Sequence, residues 1–505
     1  MESSLLRRNI FSSLIYQITA IVSGFIFPYL ILHYYGSNVN GIVNSISQFL
    51  SIIAFLELGI GAVIQTALYK PLATKNYIEI SRIYRSSQIF FRNLAKILVV
   101  YIIILLGIFF YIKNENFSFV YIATLILSMG INSFSQYYFG IVNSLLLSAD
   151  RKNYIQYNVQ TITLLLSIVI TIFLVINRSS IQLIQLLISL IYMLRPLYFY
   201  FYVKNYYSLS KEIELTYEPI KQKWNGVAQH VSAIVLDSTD KIILTFFSTL
   251  DSVSIYSIYY LVVAGVKQVF HILSSSIQST LGNIYVSQEK EQLILFFKKI
   301  MWSFHTLIVF IMGIILFTIS PFVLIYTKGI TDAQYYQPFF GYVLVLAYAI
   351  YCLRLPYHMM IKVSGHYKET QCYYIISAII NVILSILVVK AWGIIGVAVG
   401  TLISMLFQTV FLAKYTVVKI INCNFAIFYK QLCVDFISFV VGFVILPYLE
   451  IELVSYIDFF MFVIKSVVIW ILIVFFVNVF FYFDNIKNLK RYINMSHVRE
   501  YDRRL

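Results

Sequence analysis

Charge is what this sequence has least of. Only 12% of its 505 residues are charged and 60% are hydrophobic, whereas an average soluble domain is about 25% charged. No soluble core could hide so much apolar surface, which excludes a soluble globular fold. The four cysteines, Cys352, Cys372, Cys423 and Cys433, show neither CxxC spacing nor clustering with histidine. Neither a metal site nor a disulfide framework is indicated, and they read as small apolar packing residues. No GxxxxGK[ST] run occurs, which argues against a nucleotide-driven pump. Long loops are missing too: the largest polar segment between apolar runs, 204–223, has room for a short surface helix at most. Membrane glycosyltransferases and glycan polymerases usually carry their catalytic groups on a sizeable loop or domain, so a loop-based enzyme is disfavoured and no enzymatic activity is expected.

What the sequence has is apolar runs, repeated. A transmembrane helix needs about 20 predominantly apolar residues to cross a hydrocarbon core of about 30 Å. Runs of that kind fall at 9–33, 41–68, 88–112, 118–147, 154–176, 181–203, 224–248, 254–284, 300–326, 335–361, 369–389, 392–413, 429–449 and 455–483. The fold class predicted is an all-α integral membrane protein of about fourteen transmembrane helices. The first run, behind Arg7-Arg8, is too long for a signal-peptide core and lacks a small-residue cleavage site, so it reads as a retained span.

The net charge of +15 is topological rather than a sign of nucleic-acid binding. With the N-terminus inside, the inner segments hold 26 basic residues and the outer ones hold four, Lys113, Arg178, Lys328 and Lys390. That asymmetry places both termini in the cytoplasm. The basic tail 484–505 is expected either along the anionic cytoplasmic leaflet or in solution.

Offset by about 215 residues, the chain matches itself. Ser148-Ala149-Asp150-Arg151-Lys152 falls on Ser364-Gly365-His366-Tyr367-Lys368, and Ile64-Gln65 on Ile277-Gln278. Six helices per copy is an even number, so the two copies share one orientation, the parallel-repeat plan of many secondary transporters. The expected organisation is an N-terminal lobe at 1–203, a cytoplasmic linker at 204–223, a C-terminal lobe at 224–419, two added helices within 420–483, and the tail. These are two parallel six-helix lobes plus two C-terminal helices.

An ionisable group at the bilayer centre costs roughly 2.5–3.5 kcal/mol on insertion scales, so each one in a span is a functional candidate. Glu57 lies mid-span, and by the repeat it matches His271 to within a residue. Asp237, Asp240 and Lys241 share another span, with Asp237 and Lys241 at the i, i+4 spacing of an acid–base pair. Lys267 and His271 are one turn apart, as are Arg354 and His358, while Arg195 is close enough to an inner end to snorkel. Each pair could instead neutralise itself structurally. His305, Asp435 and Lys465 stand isolated and are weaker candidates. Pro28, Pro196 and Pro356 are expected to bend their helices. Cationic groups imply an anionic cargo, and the carboxylates and histidines could bind a coupling proton or sodium ion.

The segments Glu57-Leu58-Gly59-Ile60-Gly61-Ala62, Leu68-Tyr69-Lys70-Pro71-Leu72, Asp240-Lys241 to Tyr256-Ser257, Ser364-Gly365-His366-Tyr367-Lys368-Glu369-Thr370 and Gly393-Ile394-Ile395-Gly396, in this order on fourteen spans, resemble the Wzx-type polysaccharide flippases. These belong to the multidrug/oligosaccharidyl-lipid/polysaccharide exporter superfamily. The resemblance implies a bacterial cytoplasmic-membrane flippase moving an undecaprenyl-diphosphate-linked oligosaccharide to the outer leaflet. By position, Lys241, Lys267 and Arg354 become candidate diphosphate or sugar contacts. His271, His358 and Arg195 join them on the substrate side, and Glu57, Asp237 and Asp240 become coupling or gating candidates. Bilayer lipids, a polysaccharide polymerase and assembly enzymes are the implied partners; no nucleic acid and no cofactor is expected. Scarce glycine and proline beside abundant Ile, Lys, Asn, Tyr and Phe look like an AT-rich genome, with a capsule or another surface glycan as destination. Lipid II flippases of the superfamily carry several arginines in the first two spans, and this chain does not, which argues against lipid II as cargo. The competing readings are a multidrug or cation antiporter of the same fold and a membrane-embedded glycan polymerase.

Overall fold

The computed structural model describes residues 2–53, 59–111, 116–210, 227–286, 290–445 and 455–502. Among them the backbone is helical apart from short turns, and no strand forms. A bilayer dictates this outcome, because a backbone amide in hydrocarbon has no water to bond and a helix satisfies every one internally. In chain order the helices are α1 Glu2–Tyr35, α2 Ser37–Ser51, α3 Ile60–Ala73, α4 Tyr77–Tyr111, α5 Phe119–Ser135, α6 Ile141–Ala149, α7 Asn153–Ile176 and α8 Ile181–Tyr206. There follow α9 Val227–Phe247, α10 Leu250–Val286, α11 Lys290–Tyr326, α12 Pro338–Leu353, α13 Leu355–Ser364, α14 Tyr367–Tyr415, α15 Ala426–Ile445 and α16 Tyr456–Asp502. A π turn, Gln136–Gly140, makes α5 and α6 one continuous rod.

Eleven helices among the described residues are long and apolar enough to cross a membrane. Three further crossings bring the total to the expected fourteen. Gly393 (φ 53, ψ −130) breaks α14 into two lengths, each able to span by itself at 1.5 Å per residue. The run containing α2 and α3 flanks residues outside the description. The three charged residues of α9, Asp237, Asp240 and Lys241, keep it out of the apolar class.

Two helices begin ten or more residues earlier than the apolar runs predict: α4 at Tyr77 rather than 88, and α11 at Lys290 rather than 300. Their first turns are amphipathic. Ile80 and Ile83 are buried beside Glu79 and Arg82, and Leu293 and Phe297 beside Lys298 and Lys299. A helix needs only one apolar face, whereas a hydropathy reading needs nearly all of them. At the far end, α16 runs on into the basic tail as far as Asp502, bent at Tyr482 (φ −134, ψ 35).

By packing, the chain forms two units. The first comprises residues 1–261, 329–335 and 367–400; the second comprises 262–328, 336–366 and 401–505. In the first, α1 lies along α7, and α8 along both α5 and α7, around fully buried Ile42, Ile46, Leu98, Leu105 and Leu125. In the second, α11 packs on α12, α15 and α16, with Trp470 wholly buried among Val309, Ile473 and Val474.

The start of α2 shows how a loop distant in sequence completes a helix. Gly36 adopts φ +85, which an L side chain rarely takes, and a Cβ there would stand 2.8 Å from Asp332 Oδ2. The Ser37 backbone N–H and hydroxyl donate to the two Asp332 oxygens at 2.7 and 2.6 Å. Asp332 thus supplies the negative charge that the first turn of α2 lacks. Around it, Tyr335 donates to Ser37 Oγ at 2.8 Å, Ser254 Oγ lies 2.7 Å from Tyr335 Oη, and Asn40 donates to Ser254 at 2.6 Å. Burial pushes the Tyr335 hydroxyl up to about 12, so it remains a neutral donor. Asp332→Ala is expected to cost about 0.5–2 kcal/mol, the usual worth of a helix cap, read as a lowered thermal midpoint in detergent. Asp332→Asn should recover part of the loss.

Candidate functional site

In the second unit the polar groups gather around Tyr351. Pro356 carries no N–H, and its ring opposes the carbonyl four residues back, so the helix is interrupted at Arg354 between α12 and α13. The Arg354 carbonyl accepts from the amides of both Tyr357 and His358 at 3.1 Å. The Arg354 guanidinium carbon lies 4.3 Å from the centre of the Tyr351 ring. Lys267 Nζ, from α10, lies 5.3 Å from the same ring and 5.6 Å from that of Tyr348. His271, one turn after Lys267, places Nε2 2.6 Å from the Tyr351 hydroxyl. Lys267 is 9% exposed and Arg354 only 5%, and Arg354 Nε has no hydrogen-bond partner.

Two buried cations and a titratable imidazole therefore converge on one tyrosine. Aromatic faces partly offset the cost of burying the charges, and the Arg354 Nε–H suits an anion. His358 follows Arg354 by one turn and is half-buried. The sequence picks out Lys267, His271 and Arg354 but misses the Tyr351 that joins them. A signal for it exists in the three-residue spacing of Tyr348, Tyr351 and Arg354, which stacks them on one helical face.

In the first unit, Asp240 and Lys241 are neighbours in sequence that both meet tyrosines of α10, and Lys241 also reaches α2. Asp240, 2% exposed, accepts from the Tyr256 hydroxyl at 2.6 Å. Lys241 Nζ lies 3.4 Å from Asn44 Oδ1 and 5.1 Å from the Tyr260 ring centre. The structure thus sets the Lys241 amine against α2 and α10, in place of the expected partner Asp237, which is half-buried one turn earlier. Beside Asn44, Ser45 Oγ meets Thr245 Oγ1 at 2.7 Å, and Ser51 Oγ lies 3.4 Å from Ser238 Oγ. Thr239 donates to Asn381 at 2.8 Å. This polar seam between α2 and α9 is of the kind that joins helices in lipid. Its α2 members were missed, although Asn40, Asn44 and Gln48 recur at four-residue spacing.

Arg195 is engaged elsewhere in that unit. Its Nε donates to Thr163 Oγ1 at 2.6 Å and its guanidinium lies 3.9 Å from the Tyr192 ring centre, so these contacts lie on α7 and on its own helix. Glu57 falls outside the described residues. His305 and Asp435, isolated in the sequence reading, form one buried pair: Nδ1 to Oδ2 is 2.6 Å, with Gln431 donating to the other carboxylate oxygen at 3.2 Å.

No protein-family model and no curated protein sequence matches this chain. Solved structures do match in fold. A lipid II flippase, MurJ, in an inward closed conformation is similar with a TM-score of 0.71 and 13% identity, covering 95% of this chain and 99% of the flippase. An inward-facing multidrug resistance MATE family transporter of the MOP superfamily is similar at 0.60 and 14%, covering 78% and 92%. A eukaryotic MATE transporter is similar at 0.59 and 12%, covering 85% and 98%. At such identities the likeness establishes a shared fold.

Proposed function

We propose that this chain is a flippase that carries an undecaprenyl-diphosphate-linked oligosaccharide repeat unit from the inner to the outer leaflet of a bacterial cytoplasmic membrane by alternating access, for a capsule or other surface polysaccharide. The observation that carries this reading is the Tyr351 cluster, in which buried Lys267 and Arg354 sit in a helix-interrupted part of a transporter-like fold. A diphosphate keeps two or more negative charges at neutral pH and answers both cations at once. Support comes also from the fold shared with a lipid II flippase. The lack of arginine in the first two spans favours a cargo other than lipid II. In this reading His271 and His358 contact the cargo beside Arg354, and Lys241 and Arg195 are further cargo-binding candidates. Asp237, Asp240 and Glu57 serve coupling to protons or sodium. The two six-helix lobes, the linker and the cytoplasmic termini belong to the same proposal.

A multidrug cation antiporter is the second reading, since MATE transporters share the fold. Two buried cations on one tyrosine weigh against it, because they would repel a cationic drug.

Deletion in the native host, followed by analysis of lipid-linked intermediates in each leaflet, tests the proposal. Complete repeat units should accumulate on the inner leaflet. Single units already on the outer leaflet would instead indicate a polymerase, and unchanged intermediates would overturn the flippase reading.

A further inference from the structure

The buried pair of His305 and Asp435 takes no part in the cargo cluster, and it lies wholly within the second unit. It sits a short way inside the basic ends of two helices. His305 follows Lys299 of α11 by six residues and Asp435 follows Lys430 of α15 by five, about 9 and 7.5 Å along a helix axis. His305 is fully buried and Asp435 is 5% exposed. The imidazole Nδ1 meets Asp435 Oδ2 at 2.6 Å, and Nε2 lies 3.3 Å from the Tyr357 hydroxyl of α13. Gln431 donates to the other carboxylate oxygen at 3.2 Å, while its own Oε1, also buried, has no hydrogen-bond partner. Besides Tyr357, the ionisable group near the pair among the described residues is Tyr482 of α16, which lies close to Asp435. Its ring centre is 4.6 Å from Lys430 Nζ.

A carboxylate and an imidazole in contact offer two protonation states, and this site can hydrogen-bond both. With one proton on the imidazole, Nδ1–H donates to Asp435, Nε2 accepts from Tyr357, and the pair carries a single negative charge. A second proton, on Nε2, makes the pair neutral; Nε2–H then donates to the Tyr357 oxygen, whose own proton turns away. An uncompensated charge at membrane depth is costly and a neutral pair is not, and the unpartnered Gln431 Oε1 leaves the network one donor short. No metal cation fits between groups already 2.6 Å apart, so the ligand of such a site is a proton. Tyr357 ties the pair to the helix interruption. Its amide donates to the Arg354 carbonyl at 3.1 Å, and its carbonyl accepts from Thr416 at 3.4 Å. The hydroxyl that reverses its role on protonation thus belongs to the residue three positions after Arg354. We propose that His305 and Asp435 form a proton-binding site whose occupancy reaches the Arg354 segment through Tyr357, so that proton uptake biases cargo movement. The link to cargo rests on the flippase reading; proton binding does not.

The test is nitrogen NMR of the full-length chain in detergent with isotope-labelled histidine, beside cargo movement in proteoliposomes. The resonances lost in His305→Gln are those of His305. Between about pH 8 and pH 5, the window in which histidine changes charge, its ring nitrogens should pass from the singly to the doubly protonated form. Tyr357→Phe keeps the ring beside Phe297 and Phe428 and should keep this titration. By shifting the same resonances it also identifies them if His305→Gln does not fold. An imposed proton gradient should change the rate of cargo movement in the parent. His305→Gln and Tyr357→Phe should each lose that response, about 5- to 150-fold, the usual span of coupling between two sites, while movement without a gradient persists. Unchanged protonation of His305 across the window would overturn the proton site and mark the pair as structural. A full gradient response in both variants would overturn the link through Tyr357. A parent that titrates at His305 but moves no lipid-linked oligosaccharide supports the proton site and refutes the flippase reading.

Discussion

Arg354→Ala is expected to lower the initial rate of cargo movement at subsaturating cargo about 30- to 4000-fold, while the protein still inserts and folds. Truncating one partner of a buried charge pair typically costs about 2–5 kcal/mol, and 1.4 kcal/mol is tenfold. The arginine is 5% exposed and its Nε lacks a partner, so in the empty protein its charge is buried at a cost that cargo would relieve. A functional role thus predicts an unusual sign: the thermal midpoint of the alanine variant should not fall, and bound cargo should stabilise the parent but not the variant. A structural role predicts the reverse, a clear destabilisation with residual transport. Arg354→Lys should be intermediate, because it keeps the charge and loses the planar fork that bonds two phosphate oxygens. Rates measured with a fluorescent lipid-linked oligosaccharide in proteoliposomes, beside melting curves, decide between them. Unchanged transport in a well-folded Arg354→Ala variant would end the anionic-cargo reading of the cluster.

Trp470→Ala should give the largest loss of stability, about 3–5 kcal/mol, the range for emptying a large buried aromatic site. Trp470 is fully buried on α16, and its indole N–H donates to the Val309 carbonyl of α11 at 3.1 Å. Two glycines make room for it. A Cβ on Gly313 would fall 1.9 Å from the indole, and one on Gly442 would fall 2.0 Å from it, while the rings of Phe317 and Phe439 close the sides at 5.7 and 5.8 Å. In lipid, helices associate through packing rather than through escape from water, so the void cannot be offset by surrounding hydrocarbon unless lipid enters it. Gly313→Val should be destabilising for the opposite reason, overpacking, by about 1–3 kcal/mol. Thermal unfolding of the two variants checks both signs. A midpoint unchanged in Trp470→Ala would mean that α11, α15 and α16 are held by other contacts.

The helices themselves were legible in the residues, down to the break at Gly393 between two spans. Less legible were their amphipathic first turns, as at Tyr77 and Lys290, because charged residues on a solvent or headgroup face hide an apolar face from any average over the run. Buried charges could be located but not assigned partners. Asp237 and Lys241 satisfy the local rule for a helical pair, yet the Lys241 amine lies by Asn44, nearly 200 residues away. His305 and Asp435 satisfy no local rule and meet at 2.6 Å across 130 residues.

What the sequence determined alone is that this chain is an all-helical membrane protein of about fourteen crossings, since crossing a bilayer is a property of some twenty consecutive residues and of the backbone's need to bond itself. What only the tertiary structure decided is which polar side chains meet: Tyr351 between Lys267 and Arg354, Asp332 on the first turn of α2, and His305 on Asp435. Those meetings depend on how whole helices are rotated and spaced by residues such as Gly313 and Trp470, and steric fit between distant segments leaves no periodic mark on either of them.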